Sequence, residues 1–369
     1  MVVMDLKLNN FLALKNFHMN MSYPKKIVNS YIKDEFLKDR PNFRYKKVNI
    51  IMGGNATGKT SIGKMMMSIF NFIDKKLFAA IQSEINNKSE EASFSIDFII
   101  DNSFKLYRVE AVFTPIAFEK YKDFDIKIIT KVVDINKNDS YESSAKRLKI
   151  IDTEVAEDYV KELEKVEDLS WLFSYTSDAG ELQKGGTENF REILEYTLRA
   201  LDPAIQSVEK ISEVENSYVI KTKTHDVIIQ EGKVVKANLL SSGTLSGIDI
   251  AFVVSSIKEG GYGFYYCDEK VSYIHSEVEK AFLSLMISCL QDDNQLFFTT
   301  HNTDILELAL PKHSYTFLRK NVENSKQPIS CVYASDFLKR NTDSLRNAVE
   351  NDLFSVSPNI DLIYQIGEI

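Results

Sequence analysis

Along the first third of the chain the apolar positions fall on a period of two. In "MDLKLNNFLALKNFHMNMS", Leu6, Leu8, Phe17, Met19 and Met21 alternate with polar residues, which predicts two short strands joined by a turn. The segments "SFSIDFII", "FKLYRVEAVF" and "DIKIITKVV", between Ala92 and Asp134, repeat the alternation and predict an antiparallel meander. Between these regions lies a polar, basic stretch from Tyr23 to Lys47, read as a loop or short helix inserted in a hairpin. The β-branched run "KVNIIM" then predicts a buried strand. Ile62, Met65, Met66, Ile69, Phe70 and Ile73 recur at helical spacing and predict a helix to about Glu84, its methionine stripe facing the core.

Past Asn136 the pattern changes. Residues to Pro203 are charged and read as helical, with a polar patch at "SDAGELQKGGTE", after which "SYVIKTKTHDVIIQEGKVVKA" returns to strands. From Asn238 onward strand and helix alternate: "YGFYYCDE", a helix near Ile274 to Leu290, "QLFFTTH", a short helix over "TDILELAL", "HSYTFLRK" and "ISCVYAS". There are no internal repeats. The pattern predicts an α/β fold with a mixed or parallel central sheet, an antiparallel β subdomain and a charged helical insert. Four segments follow: 1–135 and 237–335 as the two parts of the core, 136–236 as a helical and β insert, and 336–369 as a helical tail.

Composition narrows the class. The chain has 369 residues, 44% of them hydrophobic and 11% aromatic, enough for a sizeable core. A net charge of −8 argues against a surface given over to nucleic acid, while leaving room for a local basic patch. Cys267, Cys289 and Cys331 are far apart and lack metal-ligand spacing, which favours a reducing cytoplasm. The N-terminal stretch is broken by Asp5, Lys7, Asn9 and Asn10, and no apolar run approaches the roughly 20 residues of a membrane helix, so neither a signal peptide nor a membrane is expected.

The strongest chemical signal is Gly53-Gly54-Asn55-Ala56-Thr57-Gly58-Lys59-Thr60, a complete phosphate loop between a β-branched strand and a helix, followed by Ser61. Glycines let backbone N–H groups wrap a phosphate, Lys59 neutralises its oxygens, and Thr60 offers a hydroxyl to Mg²⁺. "GFYYCDE" places Asp268 and Glu269 at the C-terminal end of an apolar strand, where parallel sheets present ligands. There Asp268 suits Mg²⁺ and Glu269 suits an attacking water; alone, such a pair is as often a solvated loop or helix cap. His301 ends the next apolar strand. In "NLLSSGTLSGIDIAF", Ser241, Ser242 and Gly243 run into a helical pattern, which is either a phosphate seat without a lysine or a good N-cap.

Taken in order, "LKLNNFLALKNF", "GGNATGKT", "LLSSGT", "YYCDE" and "TTHNTDIL" make the chain resemble the ATP-binding cassette (ABC) ATPases of the RecF, SMC and OLD type, most closely the soluble bacterial group labelled AAA-family ATPases. The resemblance spans most of the chain. It implies an ABC-type P-loop NTPase head, with 136–236 as its helical lid and β insert, that binds ATP and Mg²⁺ and hydrolyses ATP. By position, Gly53 to Ser61 belong to Walker A, with Lys59 also catalytic. Ser241 and Gly243 belong to the signature loop, Asp268 and Glu269 to Walker B, and His301 to the switch loop. Thr60 and Asp268 are the implied metal ligands. Two heads of this type pack head to tail, the signature loop of one covering the ATP held by the other, which would explain a phosphate seat lacking a lysine.

The chain departs from the family pattern in three places. Lys270 stands where members often have proline, Ile274-His275-Ser276 replaces the usual "LHP", and no glutamine lies between Gln82 and Gln183 to serve as the Q-loop residue. The span between Walker A and the signature is too short for SMC-type coiled-coil arms. No TOPRIM nuclease domain is expected after His301, since the residues that follow lack the acidic cluster set on strands that its metal site needs. The resemblance therefore implies a cytoplasmic ATP-driven switch, a dimer or higher oligomer of itself, acting in phage defence or DNA maintenance with a separately encoded effector such as a nuclease or toxin. Two alternatives stand beside it: the nucleotide-binding subunit of an ABC transporter, and a non-hydrolysing scaffold or sensor. Basic clusters at Lys25 and Lys26, Lys46 and Lys47, Lys146 to Lys149, Arg319 and Lys320, and Lys339 and Arg340 are either solvated faces or contacts to DNA phosphates.

Overall fold

In the computed structural model the period-two segments of the N-terminal third form one antiparallel sheet, ordered Phe17–Asn20, Val2–Asn9, Ala92–Ile99, Lys105–Pro115, Phe124–Asp134. The structure describes every residue except 29, 101–102, 117–123, 157, 167, 176–188, 272–273, 322, 341–342, 355–360 and 368–369. These residues divide into two compact units, Met1–Leu169 with Leu306–Ile369, and Ser170–Ile305.

In the first unit the antiparallel sheet supports the helix Lys59–Lys75. Phe72 of that helix meets Phe94 and Phe113 of the sheet edge-on, with ring centroids 6.1 and 5.9 Å apart, so aromatic burial fastens the helix that follows the phosphate loop. The helix stops earlier than its apolar spacing predicts. Lys76 takes a left-handed conformation (φ 56°) and returns its N–H to the Asn71 carbonyl, and a separate helix, Phe78–Gln82, stacks Phe78 on Phe113 at 5.8 Å. The stretch from Tyr23 to Lys47 carries a small hairpin, Phe36–Leu37 with Arg40–Arg44, instead of a helix. Phe43 and Tyr45 alternate there, and both are buried in a cluster with Val2, Met4, Leu106 and Tyr141. Arg108 donates two hydrogen bonds of 2.6 Å to Asp97 within this unit, and Tyr141 donates a third of 2.8 Å, satisfying a buried carboxylate. The strand Val48–Met52 runs parallel to Tyr315–Lys320, which pairs antiparallel with Ile329–Tyr333.

The second unit is built on three parallel strands, Trp171–Tyr175, Phe264–Asp268 and Gln295–Thr300, the last two buried at every position as both-faced burial requires. Trp171–Tyr175 is a strand inside a region read from sequence as helical. Helix Ser242–Lys258 is buried almost all round from Ser246 onward, and helix Phe190–Leu201 packs on it. Gly247 permits that approach: a Cβ there would stand 2.4 Å from Leu201 Cδ1. A four-stranded antiparallel meander covers Ile205 to Val235. Among the described residues no helix is long and apolar enough to cross a membrane.

Candidate active site

Because Val48–Met52 is buried at all five positions, the chain must turn immediately on leaving it. It does so through Gly53 to Gly58, with Ala56 at φ 57° and Gly58 at φ 97° in the left-handed region. A Cβ on Gly53 would lie 2.7 Å from Thr57 Oγ1 and 2.8 Å from the Leu318 carbonyl oxygen, so the backbone passes where only glycine fits. Gly58 caps the helix Lys59–Lys75 with no side-chain hydrogen bond, and no acidic residue lies in its first turn. Lys59 is buried and its Nζ donates to the Gly53 and Gly54 carbonyls at 2.8 and 3.2 Å, while Thr57 Oγ1 donates to Gly54 O at 2.9 Å. A loop closed on its own lysine, leading into an uncapped helix N-terminus, suits a phosphate chain. Asn55, Ala56 and Thr60 are exposed and Ser61 half-buried, which leaves the loop rim and the Thr60 hydroxyl open to a nucleotide and its Mg²⁺.

A cavity of about 350 Å³ adjoins this loop. Leu14 and Ile329, two of its lining residues, come within 3.5 and 3.0 Å of where a Gly58 Cβ would stand, and Leu12, Asn86, Glu90 and Lys320 are among the others. Leu12 and Leu14 come from the N-terminal stretch "LKLNNFLALKNF", whereas Asn86 and Ile329 lie in no motif, and the chain's return through Ile329–Tyr333 brings Ile329 to the loop.

In the second unit Asp268 ends its strand directly opposite Thr299 of the neighbouring strand. Thr299 Oγ1 donates to Asp268 Oδ1 at 2.8 Å and accepts the Glu269 N–H at 2.9 Å, so one hydroxyl orients both acidic residues. Glu269 leaves the strand at φ 49°, a conformation costing on the order of 1–3 kcal/mol. Its Oε1 lies 2.7 Å from His301 Nε2, and both side chains remain partly exposed. The His301 loop is anchored from below. Thr300 Oγ1 and Asn302 Nδ2 each donate to the Glu279 carboxylate at 2.7 Å, and burial raises the Glu279 pKa against these two bonds. Glu279 lies on helix Ser276–Cys289, whose N-cap is His275, its Nδ1 accepting the Glu277 N–H at 3.3 Å.

Ser241 is the N-cap of helix Ser242–Lys258: its Oγ accepts the Thr244 N–H at 3.0 Å and lies 2.8 Å from Thr244 Oγ1. The cap does not consume the surface, since Ser241 and Ser242 are exposed and Gly243 half-buried. Gln183 lies outside the described residues. Sequence reasoning missed Thr299 and Glu279; the alignment of two apolar strands ending in "CDE" and "TTH" is the signal that places Thr299 beside Asp268.

No protein-family model matches the chain, and no curated protein matches it in sequence. Solved structures do. An SMC head domain from Thermotoga maritima is 14% identical over 90% of this chain and 99% of that one, with a TM-score of 0.43. An SMC head domain with an extended coiled coil, bound to the C-terminal domain of ScpA derived from Pyrococcus furiosus, is 12% identical over 91% and 98%, with a TM-score of 0.49. An SMC head bound to the C-terminal winged-helix domain of ScpA is 14% identical over 92% of this chain and 100% of that one, with a TM-score of 0.53. On the last of these likenesses the chain has the fold of an SMC head domain.

Proposed function

We propose that this chain binds and hydrolyses ATP as a molecular switch, closing head to tail around the nucleotide and controlling a separately encoded effector, such as a nuclease or toxin, in phage defence or DNA maintenance. One observation carries the enzymatic part: Glu269 and His301 stand 2.7 Å apart at neighbouring strand ends in a chain that also has a complete phosphate loop. A carboxylate held by an imidazole can orient and polarise an attacking water, and phosphoryl transfer depends chiefly on such positioning. Lys59 and the loop N–H groups hold the β- and γ-phosphates. Mg²⁺, when bound through Thr60 and Asp268, would neutralise charge on the phosphate oxygens. The half-apolar cavity beside Gly58 suits the nucleoside.

The phosphate seat at Ser241 and Gly243 faces solvent and has no lysine of its own, which supports its use on a partner's nucleotide. One solved SMC head is bound to the winged-helix domain of ScpA, which supports a separate partner protein here. DNA is the other candidate partner, through the exposed clusters at Lys25 and Lys26, Lys146 to Lys149, Arg319 and Lys320, and Lys339 and Arg340; Lys46 and Lys47 are buried, which removes that pair from the set expected from sequence. Purified protein with Mg-ATP should release phosphate, and Lys59→Ala should stop it. Wild-type protein that neither binds ATP nor releases phosphate would overturn the proposal.

A further inference from the structure

We infer that Lys270 is a positioning residue that ties Glu269 to the signature helix, so that the seat at Ser241 and the water-orienting carboxylate move as one. The inference rests on the roles proposed above for those two residues. Lys270 follows Glu269 directly, at the position where the resembling family often has proline. Its side chain is buried where that of Glu269 is partly exposed. Lys270 Nζ lies 2.9 Å from Asp249 Oδ2, the two side chains being 3% and 7% exposed, and donates to the Tyr175 carbonyl at 2.5 Å. Asp249 stands on helix Ser242–Lys258, about two turns from its N-cap Ser241. Tyr175 ends the strand that pairs with Phe264–Asp268, opposite Asp268 itself. One ammonium therefore joins the signature helix, the Walker B turn and the end of the adjacent strand.

Energetics favour a geometric role over a stabilising one. Removing both charges from water is expensive, and an apolar pair of similar volume usually packs at least as well. The residues flanking Asp249, Ile248 and Ile250, are buried aliphatics whose contacts are not directional. They would permit the helix to rotate or slide by a fraction of a turn. A charge-assisted bond at 2.9 Å to a lysine adjoining Glu269 does not. A partner's nucleotide seated at Ser241 and Gly243 thus presses on a helix that is bonded to the residue next to Glu269, which couples the two composite sites of a dimer through each subunit.

The test replaces the pair by apolar residues, Lys270→Met with Asp249→Leu. ATP affinity and melting temperature should stay near wild type and KM should change less than twofold, while kcat falls tenfold or more. Lys270→Arg, which keeps the charge, should retain at least a third of wild-type kcat. A folded, ATP-binding double variant with at least half of wild-type kcat would overturn the inference. If the double variant does not fold, hydrogen exchange in Glu269→Gln protein decides. Adding Mg-ATP should slow exchange in residues 241–250 and 268–271 together, and slowing in only one of them would overturn it. Wild-type protein without turnover would take down the ATPase proposal and this inference with it, whereas wild-type turnover beside an unaffected double variant removes the inference alone.

Discussion

His301 Nε2 lies 2.7 Å from Glu269 Oε1, and both side chains are reachable from solvent, at 38% and 27% exposure. The imidazole therefore fixes the carboxylate without sealing it away from water. Glu269→Gln keeps the size of the side chain and loses its charge, so ATP binding should persist while turnover drops about a hundredfold or more, the scale of a positioned base. ATP-bound dimers should accumulate and show on sizing. His301→Ala should lower kcat similarly, since it frees the carboxylate to rotate. Near-wild-type turnover in the glutamine variant would remove Glu269 from the mechanism.

Gly53→Ala tests the loop without touching a charged group. The new methyl would meet the Leu318 carbonyl oxygen at 2.8 Å, a backbone atom that cannot swing aside as a side-chain end can. We expect a stability loss of about 1–3 kcal/mol and at least a tenfold weaker ATP affinity, measured by calorimetry. Unchanged affinity would show that the loop has slack its geometry denies.

How far the site could be read in advance depends on how local each feature is. Gly53 to Thr60 declare themselves because all their chemistry lies within eight consecutive positions. Asp268 and His301 were legible because each ends an apolar run, and strand ends are where parallel sheets place ligands. Thr299 and Lys270 were not: the first gains meaning only from its register opposite Asp268, the second from Asp249, 21 positions away in sequence. Trp171–Tyr175 escaped for a related reason, since a strand buried on both sides has no alternation to show. The break at Lys76 was invisible because apolar spacing continues beyond it, and tertiary contact of Phe78 with Phe113 decides where the helix stops.

Lys46 makes stability depend on pH. Burial lowers its pKa to about 7 from 10.5, and its Nζ lies 3.5 Å from the centre of the Tyr333 ring. Between those two values the unfolded chain binds more protons than the folded one, so stability should rise with pH through this window, by at most about 1.4 kcal/mol per unit. Below pH 7 both states are protonated and the slope from this group vanishes. Lys46→Met should raise the urea midpoint at pH 7 and flatten the rise between pH 7 and 9. An equal slope in the variant would assign the effect to another group.

Head-to-tail sharing of the nucleotide makes the most specific prediction. Ser241→Arg puts a bulky side chain into the exposed seat and should abolish hydrolysis while leaving ATP binding at Lys59 intact. Lys59→Ala should abolish binding. Each lesion alone disables both sites of a homodimer. In a mixed dimer of the two variants, one composite site contains both lesions and the other contains neither, so mixing two inactive proteins should restore some turnover, provided exchange is verified with differently tagged subunits. Mixed dimers that stay inactive leave two explanations, obligate coupling of the sites or a loop acting within its own subunit. A nucleotide carrying a photoreactive γ-phosphate separates them, because it should label residue 241 of a subunit that cannot itself bind ATP. Labelling confined to the subunit with the intact Lys59 would end the shared-site mechanism.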